Sequence, residues 1–158
     1  MDLISDGKTR VAWASSIANI NAPTTTELNA AADYTLRITP DGLKVEPSTA
    51  SVDTSSLAST FDTTTAGRIS FDNEVTFKRG DTVNDDAPYT TLKYGVSGYL
   101  VIRRGIAFGT AWTAGQKVEV YPITCGEPKN SPPAANEVMK FVSPMMVTSQ
   151  PATAATVA

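Results

Sequence analysis

Histidine is absent from all 158 residues. That removes the commonest general base and the commonest metal-ligating side chain together. Carboxylate or lysine catalysis stays open. Cysteine occurs once, at Cys125, so no intrachain disulfide can form and cysteine-rich zinc sites are excluded. A nucleophilic thiol needs an activating partner, usually histidine. Cys125 is therefore expected to be a buried or half-buried structural thiol. No run of about 18 apolar residues occurs, so nothing is expected to span a membrane. The opening Met-Asp-Leu-Ile-Ser-Asp lacks the basic patch and apolar core of a secretory leader. Synthesis and residence in a cytoplasm are expected, unless the protein leaves inside something larger.

Clustered positive charge is also missing. Thirteen Lys and Arg stand against sixteen Asp and Glu, a formal net charge of -3, with a pI near 4.9. Gripping nucleic acid through phosphates needs grouped cations. Lys78-Arg79 and Arg103-Arg104 are only dipeptides, read as solvated strand ends. Trp13 and Trp112 are not interleaved with basic residues, so base stacking is unsupported. No phosphate-cradling glycine motif, metal-ligand cluster or nucleophile–base spacing appears. Asp85-Asp86 are candidates for a hard cation or, more plainly, for capping a helix. Asp72 and Glu74 share a strand face and read as solvated surface. No catalytic residue, cofactor or metal is expected, which leaves assembly or binding.

What is present is a texture of Thr, Ser, Val and Ala broken by Gly and Pro, typical of β-rich domains. At 158 residues the chain suits one domain, large enough to bury roughly 70% of its unfolded surface. Val11 and Trp13 alternate with alanines in a short strand or extended arm over 9–15. Residues 26–32 suit a helical turn or a loop. Tyr34, Leu36 and Ile38 alternate with Thr35, Arg37 and Thr39, predicting a half-buried strand. Pro40-Asp41-Gly42 predicts a turn, and 43–46 a second strand ended by Pro47.

Residues 47–66 are polar and too long for an ordinary hairpin loop, which points to function or disorder. Val52, Leu57 and Phe61 are isolated apolar points within them, suited to anchoring on another subunit; a linker or a loop packed on its own domain is the alternative. Arg68 to Lys78 is the clearest strand. Ile69, Phe71, Val75 and Phe77 face one side, interrupted by Asn73; Ser70, Asp72, Glu74 and Thr76 lie on the other. Asp86 is expected to cap one helix running to about Tyr94 and stopping at Gly95, with Tyr89 and Leu92 inward. Strands follow over 98–105, 116–123 and 138–148, the first apolar enough to be central. The tail 149–158 has little to bury and is expected to be mobile or held by a neighbour. The sum is a β-sandwich or barrel with one short flanking α-helix and a long inter-strand loop.

The order of several blocks resembles the tail tube (major tail) proteins of long-tailed phages. These are Ala22-Pro23-Thr24-Thr25-Thr26-Glu27-Leu28-Asn29-Ala30, then Asp33-Tyr34-Thr35 and Ile38-Thr39-Pro40-Asp41-Gly42-Leu43. Further on come Leu92-Lys93-Tyr94-Gly95, Gly98 to Gly105 and Gly115 to Pro122. Val120 to Glu127 is similar to tail proteins of phages infecting actinobacteria. The likeness covers roughly 9–150, without the appended immunoglobulin-like domain of some members.

The resemblance implies two packed antiparallel sheets and one flanking helix in a single domain, 1–158. It implies an extended N-terminal arm (about 1–26), a long loop (about 43–67) touching neighbouring subunits and a flexible C-terminal tail. The protein would be a virion component made in a bacterial host. Six copies would close a ring, and rings would stack into a hollow conduit for DNA ejection. Its partners would be itself and the tape measure, terminator and distal tail proteins, with DNA only as passing cargo. On this reading Ser70, Asp72, Glu74 and Thr76 line the lumen. A connector or terminator, and a β-sandwich binding module, are the alternatives.

Overall fold

Antiparallel pairing runs throughout the computed structural model, which describes residues 1–158. Its strands are β1 (Thr9–Ala14), β2 (Ala32–Asp33), β3 (Ile38–Asp53), β4 (Thr64–Lys78), β5 (Ser97–Arg104), β6 (Lys117–Cys125), β7 (Lys129–Asn130), β8 (Lys140–Val147) and β9 (Ala152–Thr156). Two short helices, α1 (Thr25–Ala30) and α2 (Ala87–Thr91), and a 3-10 turn at Thr35–Arg37 complete it. The main path is β2-β1-β5-β6-β8-β4-β3, with β7 added to β8 and β9 to β6.

The expected pair of sheets is one hydrogen-bonded sheet curled round on itself. Period-two alternation sends Val11 and Trp13 of β1, Leu100 and Ile102 of β5, Tyr121 and Ile123 of β6, Val75 and Phe77 of β4, and Phe141 of β8 into one inner core. The 3-10 turn closes the seam between the ends of the path. Tyr34 N donates to the Val11 carbonyl at 3.1 Å, Val11 N donates to Thr35 Oγ1 at 2.9 Å, and Arg37 reaches the carbonyls of Lys78 and Arg79. Tyr34 then meets Phe77 edge-on, 5.8 Å between ring centres.

The opposite residues of β1, β5 and β6 (Ala12, Ala14, Val101, Val118, Val120) form a second core outside the curl. Leu28 of α1, Ile17, Trp112 and the β9 residues Ala152 and Ala155 cover it, with Val157 just beyond. Leu100, Val101 and Ile102 are each fully buried, so β5 is covered on both faces. That is why it reads as continuously apolar rather than alternating.

Several expectations change. Residues 34–39 are not one strand. Leu36 is exposed while Tyr34 is buried, because the 3-10 turn replaces period two with period three. Pro40-Asp41-Gly42 is a bulge inside β3: Ile38 pairs Phe77 and Leu43 pairs Val75, so four residues oppose Thr76 alone. A Cβ on Gly42 would lie 2.6 Å from the Thr76 carbonyl oxygen, so the close approach requires glycine. Pro47 does not end the strand, since β3 is an edge and a missing N–H is tolerated there.

The single expected helix becomes two, both short. α1 has a reciprocal cap: Glu27 N donates to Thr24 Oγ1 and Thr24 N donates to Glu27 Oε1. The Thr24 amide, and then the Ala18 amide, donate to the Glu27 carboxyl and hold it below its usual range. α2 ends at Thr91, and Asp86 makes no side-chain cap to it. The tail expected to be mobile is instead β9, paired to β6 at Lys117–Thr156 and Val118–Ala155. Its alanines and Val157 fill the outer core, and they are too small to have announced it.

Val157 is 2% exposed. Replacing it with aspartate would bury a carboxylate with no partner. Val157→Asp is expected to cost on the order of 3 kcal/mol, read as a lower urea midpoint at unchanged slope.

Candidate assembly surface

The stretch expected as a loop over 43–67 is mostly strand. β3 and β4 pair from Leu43–Val75 out to Asp53–Thr64, leaving residues 54–63 as the connection. β8 accompanies β4 only from Asn73 to Lys78. Beyond Asp72 the hairpin is a two-stranded arm with no third strand. Period two was legible in 68–78; the opposing polar run in β3 hid the other half of the pair.

The arm's side chains divide the work. At the tip, Thr54 N donates to the Thr63 carbonyl at 2.9 Å, Ser55 N to Asp53 Oδ1 at 2.8 Å, and Ser56 N to Ser59 Oγ at 2.8 Å. The Ser and Thr residues thus satisfy backbone groups a short turn would leave open. These bonds, the Ser55 amide first, hold the Asp53 carboxyl below its ordinary value. The apolar residues point away. Leu57 is 106% exposed and Phe61 79%, while Val52 is exposed on β3 itself. Ile69, expected inward, is also exposed because the arm has passed beyond the inner core.

The row Ser70, Asp72, Glu74 and Thr76 lies on the outer face of β4, opposite the face carrying Val75 and Phe77 into the core. Ser70 and Asp72 are exposed, Glu74 and Thr76 half-buried. Across the ladder, Ser48 faces Ser70, Glu46 faces Asp72 and Lys44 faces Glu74. Lys44 Nζ lies 3.2 Å from Asp72 Oδ2 and 3.7 Å from Glu46 Oε2. The hydrogen bond that Lys44 donates to Asp72, and then the Asp72 charge, raise the lysine pKa. One ammonium among three carboxylates leaves this patch acidic. These pairs are solvent-exposed and weak, so the patch is defined by its sign rather than by rigid bridges.

The end of β4 opposite the arm is clamped. Arg79, just past β4, donates to both Asp86 oxygens at 2.7 and 3.0 Å and to Asn130 Oδ1 at 2.8 Å. Its guanidinium lies 3.7 Å from the centre of the Tyr89 ring, and Lys93 sits as close to the same ring. Asp86 is therefore committed to an arginine rather than to a cation or a helix end. No group of three or more Cys, Asp or Glu is arranged to hold a metal.

Neither arginine dipeptide is simply solvated. Arg104 pairs with Glu119 at 2.8 Å on the surface, but Arg103 is fully buried. It donates to the carbonyls of Ala107 and Ala111 and to Gln116 Oε1. Trp112 lies between the guanidiniums of Arg103 and Arg10, each 4.8 Å from its centre. Burial, then the Arg10 charge, lower the Arg103 pKa. Two cations on one indole fix the 105–116 loop over the outer core. Cys125 is 2% exposed, and burial pushes its thiol up to about 11.

A family model described as phage tail tube protein matches residues 1–158, the whole chain. No curated protein matches it. No helix is long and apolar enough to cross a membrane.

The hydrogen bond from Arg79 holds the Asp86 carboxyl below its usual range, against the opposing effect of burial. A depressed folded pKa means the stabilisation is present above the unfolded value, about 3.9. It is lost as pH falls through the folded value. Asp86→Asn is expected to lower the urea midpoint at pH 7, with the two proteins converging below pH 4. A midpoint difference that persists unchanged at low pH counts against the clamp.

Proposed function

The chain belongs to the phage tail tube protein family, and from that premise we propose that it self-assembles into stacked rings forming a hollow conduit for DNA. The observation that carries this is the two-stranded arm with its exposed Val52, Leu57 and Phe61. A lone hairpin is marginal in water, and one that carries large apolar residues outward is stabilised when another surface covers them. The anchors are then contacts to a neighbouring copy. A head-to-tail contact between unlike surfaces closes rings or extends filaments. Six copies per ring is the number the family likeness suggests.

The acidic row of Ser70, Asp72, Glu74 and Thr76 suits the lumen. DNA must slide through such a tube without being held, and carboxylates offer none of the counterion-releasing contacts that retain phosphates. The protein then works in the virion after synthesis in the host. Its further partners are the proteins that set tube length and close the tube's two ends. The role is architectural rather than catalytic.

Leu57→Asp with Phe61→Asp is expected to leave the melting temperature within a few degrees and to abolish rings and tubes in negative-stain micrographs. Normal tubes from this variant would remove the arm from the interface. Asp72→Lys with Glu74→Lys is expected to assemble but to retain DNA on co-sedimentation at low salt, releasing it as salt rises. No gain in DNA retention would take those residues out of the lumen.

A further inference from the structure

Beside the arm the sheet forks. Asn73–Met145 is the last pair between β4 and β8. The chain then leaves β4: Val147 pairs Ile123 of β6 and Ala152 pairs Val120. β4 continues outward from Asp72 to Thr64 with β3 on one side and nothing on the other. β9 likewise has β6 on one side only, apart from its end, where Thr156 N donates to the Asn21 carbonyl. Between them lies a cleft of about 680 Å³, walled by Gly67 to Phe71 and by Val147 to Thr153. Two residues beyond Phe71 on β4, the Asn73 side chain is 3% exposed and neither its oxygen nor its nitrogen has a partner.

The β4 wall is a free strand edge, and the other wall runs from the end of β8 through the connection 148–151 into β9, so an extended backbone that bonds to Gly67–Phe71 and to the open edge of β9 would fill the space. Such a strand must itself be unpaired on both edges. Every long strand of this chain already has a neighbour, and residues 131–139 carry Pro132 and Pro133. Met1–Ser5 is proline-free, outside every strand, and without a backbone donor in any hydrogen bond; Ala134–Met139 shares these features but turns at Asn136, whose φ is 61°. Leu3 is 80% exposed and Ile4 66%. Five extended residues span roughly 16 Å, a length comparable with the Gly67–Phe71 wall. The cleft offers Ile69, Phe71 and Val147 as apolar contacts.

We propose that residues 1–5 of a second copy insert as a strand between β4 and β9, joining the two sides of the fork. The inference rests on the self-assembly reading above and names which segment meets which surface. Insertion completes both edges, and it couples the cleft of one copy to the leading segment of another. The contact is head-to-tail, so it propagates rather than saturating at a dimer.

The test mixes two differently sized versions of the full chain, one carrying Leu3→Cys and the other Ser149→Cys, under mild oxidation. The buried Cys125 thiol, with its raised pKa, stays out of the exchange. A heterodimer band that vanishes on reduction is expected. It should be absent when Ser149→Cys is replaced by Asp81→Cys, beyond the opposite end of β4. Tubes without the heterodimer band overturn this inference and leave the assembly reading standing. A chain that stays monomeric throughout overturns both. As a second measurement, Ile4→Pro removes a strand donor without touching an existing bond. It is expected to keep the melting temperature and lose assembly; unimpaired tubes overturn the proposal.

Discussion

Unpaired backbone at strand edges is the constraint on which the rest of this structure depends. Inside the curl the problem is solved: β5 lies between β1 and β6, and the seam is closed by Tyr34, Thr35 and Arg37 bonding to both sides. Outside it, the solution is left open. The arm beyond Asp72 has one ladder instead of two, and the fork beside it separates edges that a continuous sheet would join. An isolated copy of such a sheet is a hazard. In the proposed assembly the same edges would be the means of joining.

The cores explain how the open parts can be tolerated. Two clusters sit on opposite faces of the same three strands, so β1, β5 and β6 are held from both sides. The buried Arg103 belongs to this rigid half. It has no carboxylate, and its charge is met by two carbonyls, an amide oxygen and the face of Trp112. At the far end Arg79, Asp86 and Tyr89 tie β4 to α2 and β7. The arm therefore projects from a body fixed at both ends.

Much of this was legible in the sequence because period two is a strong signal where one face is buried. β4, β5 and β6 follow directly from Val75 and Phe77, from the run Leu100-Val101-Ile102, and from Val118 and Val120. The signal failed where burial was absent or the side chains were small. β3 beyond Val45 is solvated on both faces, so its pairing left no pattern. β9 is built on alanines, whose packing carries little hydrophobic contrast. Tyr34, Leu36 and Ile38 gave a false alternation, since a three-residue turn can imitate it over one repeat. The Thr24–Glu27 spacing is a capping-box pattern that identifies α1, and it was there to be read. The outer face of β4 was visible as a polar row. That the neighbouring residues make it acidic needed the register with Glu46.

The state of the only sulfhydryl has a bearing on how long such an object lasts. A polymer presents its subunits many times over, and any accessible thiol would be repeated along its whole length as a point of oxidative damage or accidental bridging. Here the sulfur of Cys125 lies in the inner core, 2% exposed, and burial raises its pKa. With no imidazole in the chain either, no side chain on its surface has an ordinary pKa between 5 and 8. Particles built from it would carry the same side-chain charges across that range, and oxidation would fall on the exposed Met139 and Met146 rather than on a thiol.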